Sequence, residues 1–557
     1  MTRRTSFFLP VTWAAVVTLS ACVPAGDGVQ PIVERSYFPV GLSVDPTGDW
    51  LYVVNSDFDL QYNQGTVQSL DLRRIEAVAR RPCSRNSECA TDGAAVQQRC
   101  DTTATPENGG DASFFCVDVE GAFAGLPCGA IPENSASARA VSPGRCGPVN
   151  LTDPPGGGAP LQTDAVAISA FATDSLLVRR PVVQGDGTEV PSATQSRLFL
   201  PVRGDSSLHF IDVDGGRLQC GQTKLGGSCS ADYRVRETET ADPEEPFVVP
   251  TEPYGIAATS DGRALVMSHQ SGGKASAFIH DWSSQRDGKP IPPRLVSVVT
   301  NIPTSAIGIA TLPPSLVPSD AEGGDPPGFL VTFRNDPSVH LLRFLNPAQA
   351  LGGAPAAEDR PLLFDVAKAP IAANSVGSDS RGIAIDDRGR RAAGLACNGD
   401  QACLALAARV PLDVYVANRS PASLLIGRTN QGEARAAGDL PVFHDNVPLT
   451  QGPSRVVLGH VIDPSGQPSP RVFVLCFDSA LIYVYDPERR VIETQIQTGR
   501  GPHALAFDPD PAQRRVAYVG HFTDSYVGVI SLDQRYPPTF GSTLATLGTP
   551  SPPRAAK

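Results

Sequence analysis

Short runs of alternating apolar and polar residues, separated by Gly, Pro and Asp, fill most of this chain. The pattern is clearest near its end. Val491-Ile492-Glu493-Thr494-Gln495-Ile496-Gln497 is followed by Pro502-His503-Ala504-Leu505-Ala506-Phe507, then Val516-Ala517-Tyr518-Val519-Gly520-His521 and Tyr526-Val527-Gly528-Val529-Ile530. Alternation with period two marks half-buried β-strands. The same wording recurs from Pro39 to Asn55, from Pro253 to His269 and from Arg381 to Asn418. Looser copies run through Leu198–Val213, Ile307–Arg334 and Arg455–Asp486. Seven such units can be counted. Repeated four-stranded units of roughly 40–50 residues are the signature of a propeller. The expected fold is therefore all-β, a β-propeller of seven four-stranded blades. A solenoid or an array of sandwiches is the alternative.

Each well-formed unit turns at an acidic corner: Asp45, Asp261, Asp386 and Asp508. An aspartate caps a turn with its own carboxylate, and a following Gly takes the positive φ that other residues avoid. These acids sit at separate corners and lack the dense oxygen spacing of a calcium loop. A turn role is expected.

Composition narrows the class. The chain has 557 residues with 52 Gly and 52 Pro, well above the ordinary combined share of about 12%. That punctuation suits short strands and turns better than long helices. Hydrophobic residues make up 41%, enough for a packed core. A net charge of −12 argues against general nucleic-acid binding, which requires clustered positive charge.

The repeat resembles the YVTN family of β-propeller repeats. The matching marks are the Gly-Pro start, the Asp-x-x-Gly corner, the strand Leu51-Tyr52-Val53-Val54-Asn55 and the closing Ile-Asp or Leu-Asp. The resemblance covers about residues 31–550 outside the insertions. It is strong at 39–72, 253–281 and 453–533, and weak at 162–213 and 303–344. It implies a ligand- or partner-binding propeller. Propellers with similar repeats also include lactonases, so a hydrolase of lactonase type is the alternative.

Residues 75–160 break the pattern. They are rich in Gly, Pro, Ser and Cys, and they hold Cys83, Cys89, Cys100, Cys116, Cys128 and Cys146. A loop of that length without its own core needs another source of order. Three disulfides would supply it, and six cysteines allow fifteen pairings. Zinc is a rival reading, but the segment has no Cys-x-x-Cys and no His, so it finds little support. Cys220 and Cys229, and Cys397 and Cys403, are expected to pin the feet of shorter loops. Cys476 is left over and is expected to be a buried small apolar residue.

The N-terminal segment has Arg3 and Arg4, then an apolar run from Phe7 to Leu19. That is the form of a secretory signal. Its end, Leu19-Ser20-Ala21-Cys22, resembles the lipobox of bacterial lipoproteins. The resemblance implies cleavage of residues 1–21, lipidation (palmitate included) of Cys22, a tether over 22–30 and attachment to a membrane. Val23 follows Cys22 where retention at the inner membrane would call for Asp, which points to the outer membrane of the cell envelope. An ordinary signal peptide is the plainer alternative. Residues 551–557 form a polar tail. Twelve cysteines fit an oxidising compartment.

No His-Glu-x-x-His, Gly-x-Ser-x-Gly, phosphate-binding Gly-Lys-Ser/Thr or Cys-x-x-Cys-His motif is present, so no catalytic residue, metal or cofactor is assigned. Propellers bind ligands at the mouth of the central channel. The ends of the second strands align as Asn55, Arg203, His269, Arg334, Asn418, Cys476 and His521. The starts of the first strands supply Tyr254, Arg381, Arg455 and His503. Arg203, His269, Arg334, Arg381, Arg455, His503 and His521 are thus the candidate ligand-binding residues, a partly basic funnel for an anionic ligand or the acidic surface of a protein partner. The alternative is that these side chains tie adjacent blades together.

Overall fold

The computed structural model describes residues 28–79, 83, 98–101, 115–118, 148–154, 159–185, 188–236, 248–280, 285–286, 289–290, 292–317, 326–345, 362–371, 379–429, 438–511, 513–537 and 539–551. Cys22, Cys89, Cys128 and Cys146 lie outside the described residues.

Seven antiparallel sheets, each a four-stranded meander, make a seven-bladed β-propeller. Blade 1 is Pro39–Val44, Trp50–Asn55, Gln64–Asp71 and Gln162–Ser169; blade 2 begins at Leu176–Val183 and Glu189–Val202; blade 3 at Pro253–Ala258 and Ala264–His269. Blades 4 and 5 begin at Ala306–Thr311 and Gly328–Phe333, and at Ser380–Asp386 and Asp413–Arg419. Blades 6 and 7 begin at Pro453–Ile462 and Pro468–Cys476, and at Pro502–Phe507 and Val516–His521. The first strand of each blade is innermost and packs on the first strand of the next, with blade 7 against blade 1.

The core lies in the seams. Among the described residues one apolar cluster fills each of the seven junctions between neighbouring blades. Alternation explains how one strand serves two of them. Leu51 and Val53 face blade 7, while Tyr52 and Val54 face blade 2. Successive side chains of a strand point to opposite faces of its sheet, and here both faces are covered. All four residues are at most 1% exposed.

The long insertion leaves blade 1 between its third and fourth strands. Asp71 caps its opening helix, Leu72–Val78, by accepting from the backbone N–H groups of Arg73 and Arg74. The strand Pro148–Val149 from the same excursion pairs in parallel with Thr543–Leu547 at the outer edge of blade 7, so the insertion helps to close the ring. Cys83 is bonded to Cys100, and Cys116 is also disulfide-bonded. Cys220–Cys229 and Cys397–Cys403 are bonded. The last bridge joins two short helices, Arg388–Ala396 and Gln401–Ala407, inserted between the first two strands of blade 5. Cys476 is free and buried, and burial pushes its thiol up to about 12.

The acidic corners are turn caps. Asp45 Oδ1 accepts from the backbone of Asp49 at 2.8 Å and Trp50 at 2.9 Å, and Gly48 follows at φ +75°. Asp261, Asp386 and Asp508 each accept from the backbone N–H two residues on.

Candidate functional site at the channel mouth

Three backbone devices recur in register around the channel. The first is a left-handed residue just before the innermost strand. Phe38, Phe171, Glu252, Ser305, Gly452 and Gly501 have φ between 53° and 88°; Asp379 holds the corresponding place in blade 5. Gly452 and Gly501 adopt this φ without penalty, which accounts for the Gly-Pro starts. Phe171 and Glu252 carry a cost of about 1 kcal/mol or more.

The second device is a one-residue bulge. Pro39 faces Asn55 but Gly41 faces Val54, and the same shift recurs in blades 3 to 7. In blade 2 it lies between the Ala172–Val202 bridge and the Leu176–Phe199 pair. A bulge re-aims a side chain. The extra residues are Val40, Thr173, Tyr254, Ile307, Arg381, Ser454 and His503, and all seven line a single cavity of about 400 Å³.

The third device is a hydrogen bond. The residue after the second strand, or in blade 5 that strand's last residue, donates its backbone N–H to the carbonyl of the left-handed residue or its counterpart. The pairs are Ser56–Phe38, Arg203–Phe171, Gln270–Glu252, Arg334–Ser305, Arg419–Asp379, Phe477–Gly452 and Phe522–Gly501, at 2.7–3.0 Å. These seven donors form the rim of the same cavity. Because the backbone holds each rim position, the side chain there is free to vary.

This register corrects the sequence alignment. The true equivalents of His269 and His521 are Asn55, Val202, Phe333, Asn418 and Cys476, each facing the start of its first strand. Arg203 and Arg334 sit one residue further on. Neighbouring residues of an extended chain point opposite ways, so His269 and His521 turn into the blades and do not line the cavity. His269 is fully buried and bonds Ser276 Oγ at 2.7 Å and the Thr251 carbonyl at 3.1 Å. His521 stacks on Tyr526 at 4.1 Å. Burial holds His269 down at about 4 and His521 at about 3. Arg203, Arg334, Arg381, Arg455 and His503 do line the cavity, joined by Arg419, Asp174 and the rings of Phe58, Phe171, Phe477 and Phe522. Pairing each Pro start with the last residue of the following strand would have found this register.

Charge is arranged unevenly. Arg203 meets Glu252 at 2.6 Å, Arg419 meets Asp478, and Arg455 meets Asp174 at 2.9 Å. Arg381 takes both oxygens of Asp379 at 2.8 Å. Arg334 reaches that same carboxylate only at 3.4 Å. Five guanidinium groups therefore share four carboxylates, and Arg334 is the least neutralised. Three of the pairs, Arg203–Glu252, Arg334–Asp379 and Arg419–Asp478, also bridge neighbouring blades. Burial, then the charges of Arg455 and Arg381, hold His503 well below its ordinary value, so it is neutral at pH 7. Among the described residues no group of three His, Cys, Asp or Glu side chains is placed to hold a metal ion.

No protein-family model matches this chain, and no curated protein matches it. Solved structures with similarity include a protein from Lactobacillus plantarum at 11% identity, covering 86% of this chain and 89% of that one with a TM-score of 0.39. A candidate 6-phosphogluconolactonase from Bacteroides fragilis has 11% identity, 84% and 86% coverage and a TM-score of 0.40. Sqt1 of Saccharomyces cerevisiae has 6% identity, 94% and 88% coverage and a TM-score of 0.40.

Proposed function

We propose that this chain is a lipid-anchored propeller of the bacterial envelope, related to the YVTN repeat proteins, that binds an anionic ligand or an acidic partner segment at its channel mouth. The observation that carries the binding reading is the excess of guanidinium over carboxylate around one cavity in a chain of net charge −12. Arg334 offers a planar fork to a carboxylate or phosphate. The half-exposed setting of its side chain, at 36%, leaves that fork open to a ligand.

A thermal-shift series on the full chain, produced in an oxidising compartment, tests this reading. Anionic ligands should raise the melting temperature of the native protein and leave the Arg203→Ala/Arg334→Ala variant unmoved. Equal shifts in both proteins would remove the cup from the account. Anchoring at Cys22 is tested separately: palmitate labelling should be lost in Cys22→Ala.

The hydrolase alternative draws on Asp174 and His503 sharing the cavity. Asp174 is held by Arg455 and His503 is kept neutral, so a general acid–base pair would have to be freed before it could act. Turnover of a lactone that is abolished by His503→Gln would favour it.

A further inference from the structure

The cavity has two unlike walls. Phe477, Phe522, Phe58 and Phe171 touch in series, with ring centroids 5.8, 5.3 and 5.6 Å apart. They come from blades 6, 7 and 1 and the approach to blade 2, one unbroken arc of the mouth. Neutral His503 stands 6.2 Å from Phe477 and 5.8 Å from Phe522 and extends that wall. The arginines of blades 4 and 5, Arg334, Arg381 and Arg419, occupy the facing arc, while Arg203 and Arg455, on blades 2 and 6 at the ends of the ring arc, are each paired with a carboxylate.

Phe58 is 48% exposed. An apolar surface left in water inside a concave, charged site marks a place for an apolar ligand group. Mixed walls bind neither half of such a ligand well alone, because the anion needs the forks and the flat body needs the rings. Ring pairs also favour a third ring at stacking or edge distance.

We infer that the cup takes a small organic anion with a flat aromatic body, its carboxylate on Arg334 and its ring against Phe58 and Phe522. This rests on the reading of the cup as an anion site and adds the class of the ligand. The cavity of about 400 Å³ lies in the range of small-molecule sites, about 300–1,000 Å³.

Calorimetric titration of the full chain with three probes separates the two claims: naphthoate carries both groups, acetate the anion alone, and naphthalenemethanol the ring system alone. Naphthoate should bind at least tenfold more tightly than either of the others. Phe58→Ala should weaken naphthoate about five- to tenfold and leave acetate unchanged, with Phe477→Leu as a second, volume-sparing variant. Arg334→Ala should abolish the advantage of naphthoate over naphthalenemethanol. If acetate matches naphthoate and the Phe variants change nothing, the aromatic class is wrong while the anion cup stands. If naphthalenemethanol matches naphthoate, or neither anion binds, the anion reading fails and this inference with it.

Discussion

Asp174, on the approach to the first strand of blade 2, and Arg455, in the first strand of blade 6, occupy equivalent positions two residues past the first inner pairing, and they meet across the channel at 2.9 Å. In blades 1, 3, 4 and 5 that position is Gly41, Gly255, Gly308 and Gly382, where the next blade packs too closely for a side chain. The two charged exceptions therefore lie below the rim and floor the cup. Both side chains are largely covered, at 16% and 26% exposure. Losing one partner strands a partly buried charge, whereas losing both does not. A double-mutant cycle with Asp174→Ala and Arg455→Ala should give a coupling of about 1–2 kcal/mol in chemical denaturation. Additive losses would mean that the pair contributes nothing.

The seam between blades 4 and 5 depends on Gly308. A methyl group there would collide with the Arg381 carbonyl oxygen and Thr332 Oγ1, and the carbonyl belongs to the bulged strand that carries Arg381 into the cup. Gly308→Ala should cost about 1–3 kcal/mol of stability. Gly185→Ala, with nothing within 4 Å of the added atom, should cost almost nothing. Equal melting temperatures for the two variants would contradict this account of the seam.

His521 should make the fold sensitive to acid. Burial lowers its folded-state value from 6.5 to about 3, so the unfolded chain takes up the proton first. Its contribution is intact above about pH 6.5 and is lost as pH falls toward 3. His269 acts in the same direction. Denaturation midpoints of His521→Phe should therefore fall less steeply than those of the native chain between about pH 6 and pH 4. Parallel curves would show that His521 does not titrate on unfolding.

Asp57 has the opposite sign. Burial raises its folded-state value from 3.8 to about 7, and Oδ2 has no hydrogen-bond partner. Folding holds its proton where the unfolded chain releases it, so stability declines as pH rises from about 4 to 7. Asp57→Asn should gain about 2–4 kcal/mol above pH 7 and nothing near pH 4. Asn also tolerates the φ of +53° at this position. A gain independent of pH would assign the effect to the turn and not to the carboxyl group.

The blades were legible because the inner strands have both faces buried and alternation feeds two seams, as Leu51 and Tyr52 illustrate. The corners were legible because Asp45 and Gly48 make their turn from local bonds alone. Five candidate residues of the cup were found from their place at strand ends. The exact rim was not, because a one-residue bulge leaves no mark in composition: Ile307, Arg381 and Ser454 fill the same bulged place with unlike side chains. Phe477 and Phe522 hid behind Cys476 and His521, whose polar or reactive side chains drew the alignment one residue short. The cross-channel pair was invisible for a different reason. Asp174 and Arg455 are 281 residues apart, and only ring closure brings them together.

The most direct test of the cup is a crystal of the full chain soaked with a bromonaphthoate, read by bromine anomalous scattering. The account predicts one strong bromine peak within the cavity, beside Phe58 and Phe522, with the carboxylate density on Arg334. A peak at the outer blade edges, or no peak in the cavity at saturating ligand, would contradict it.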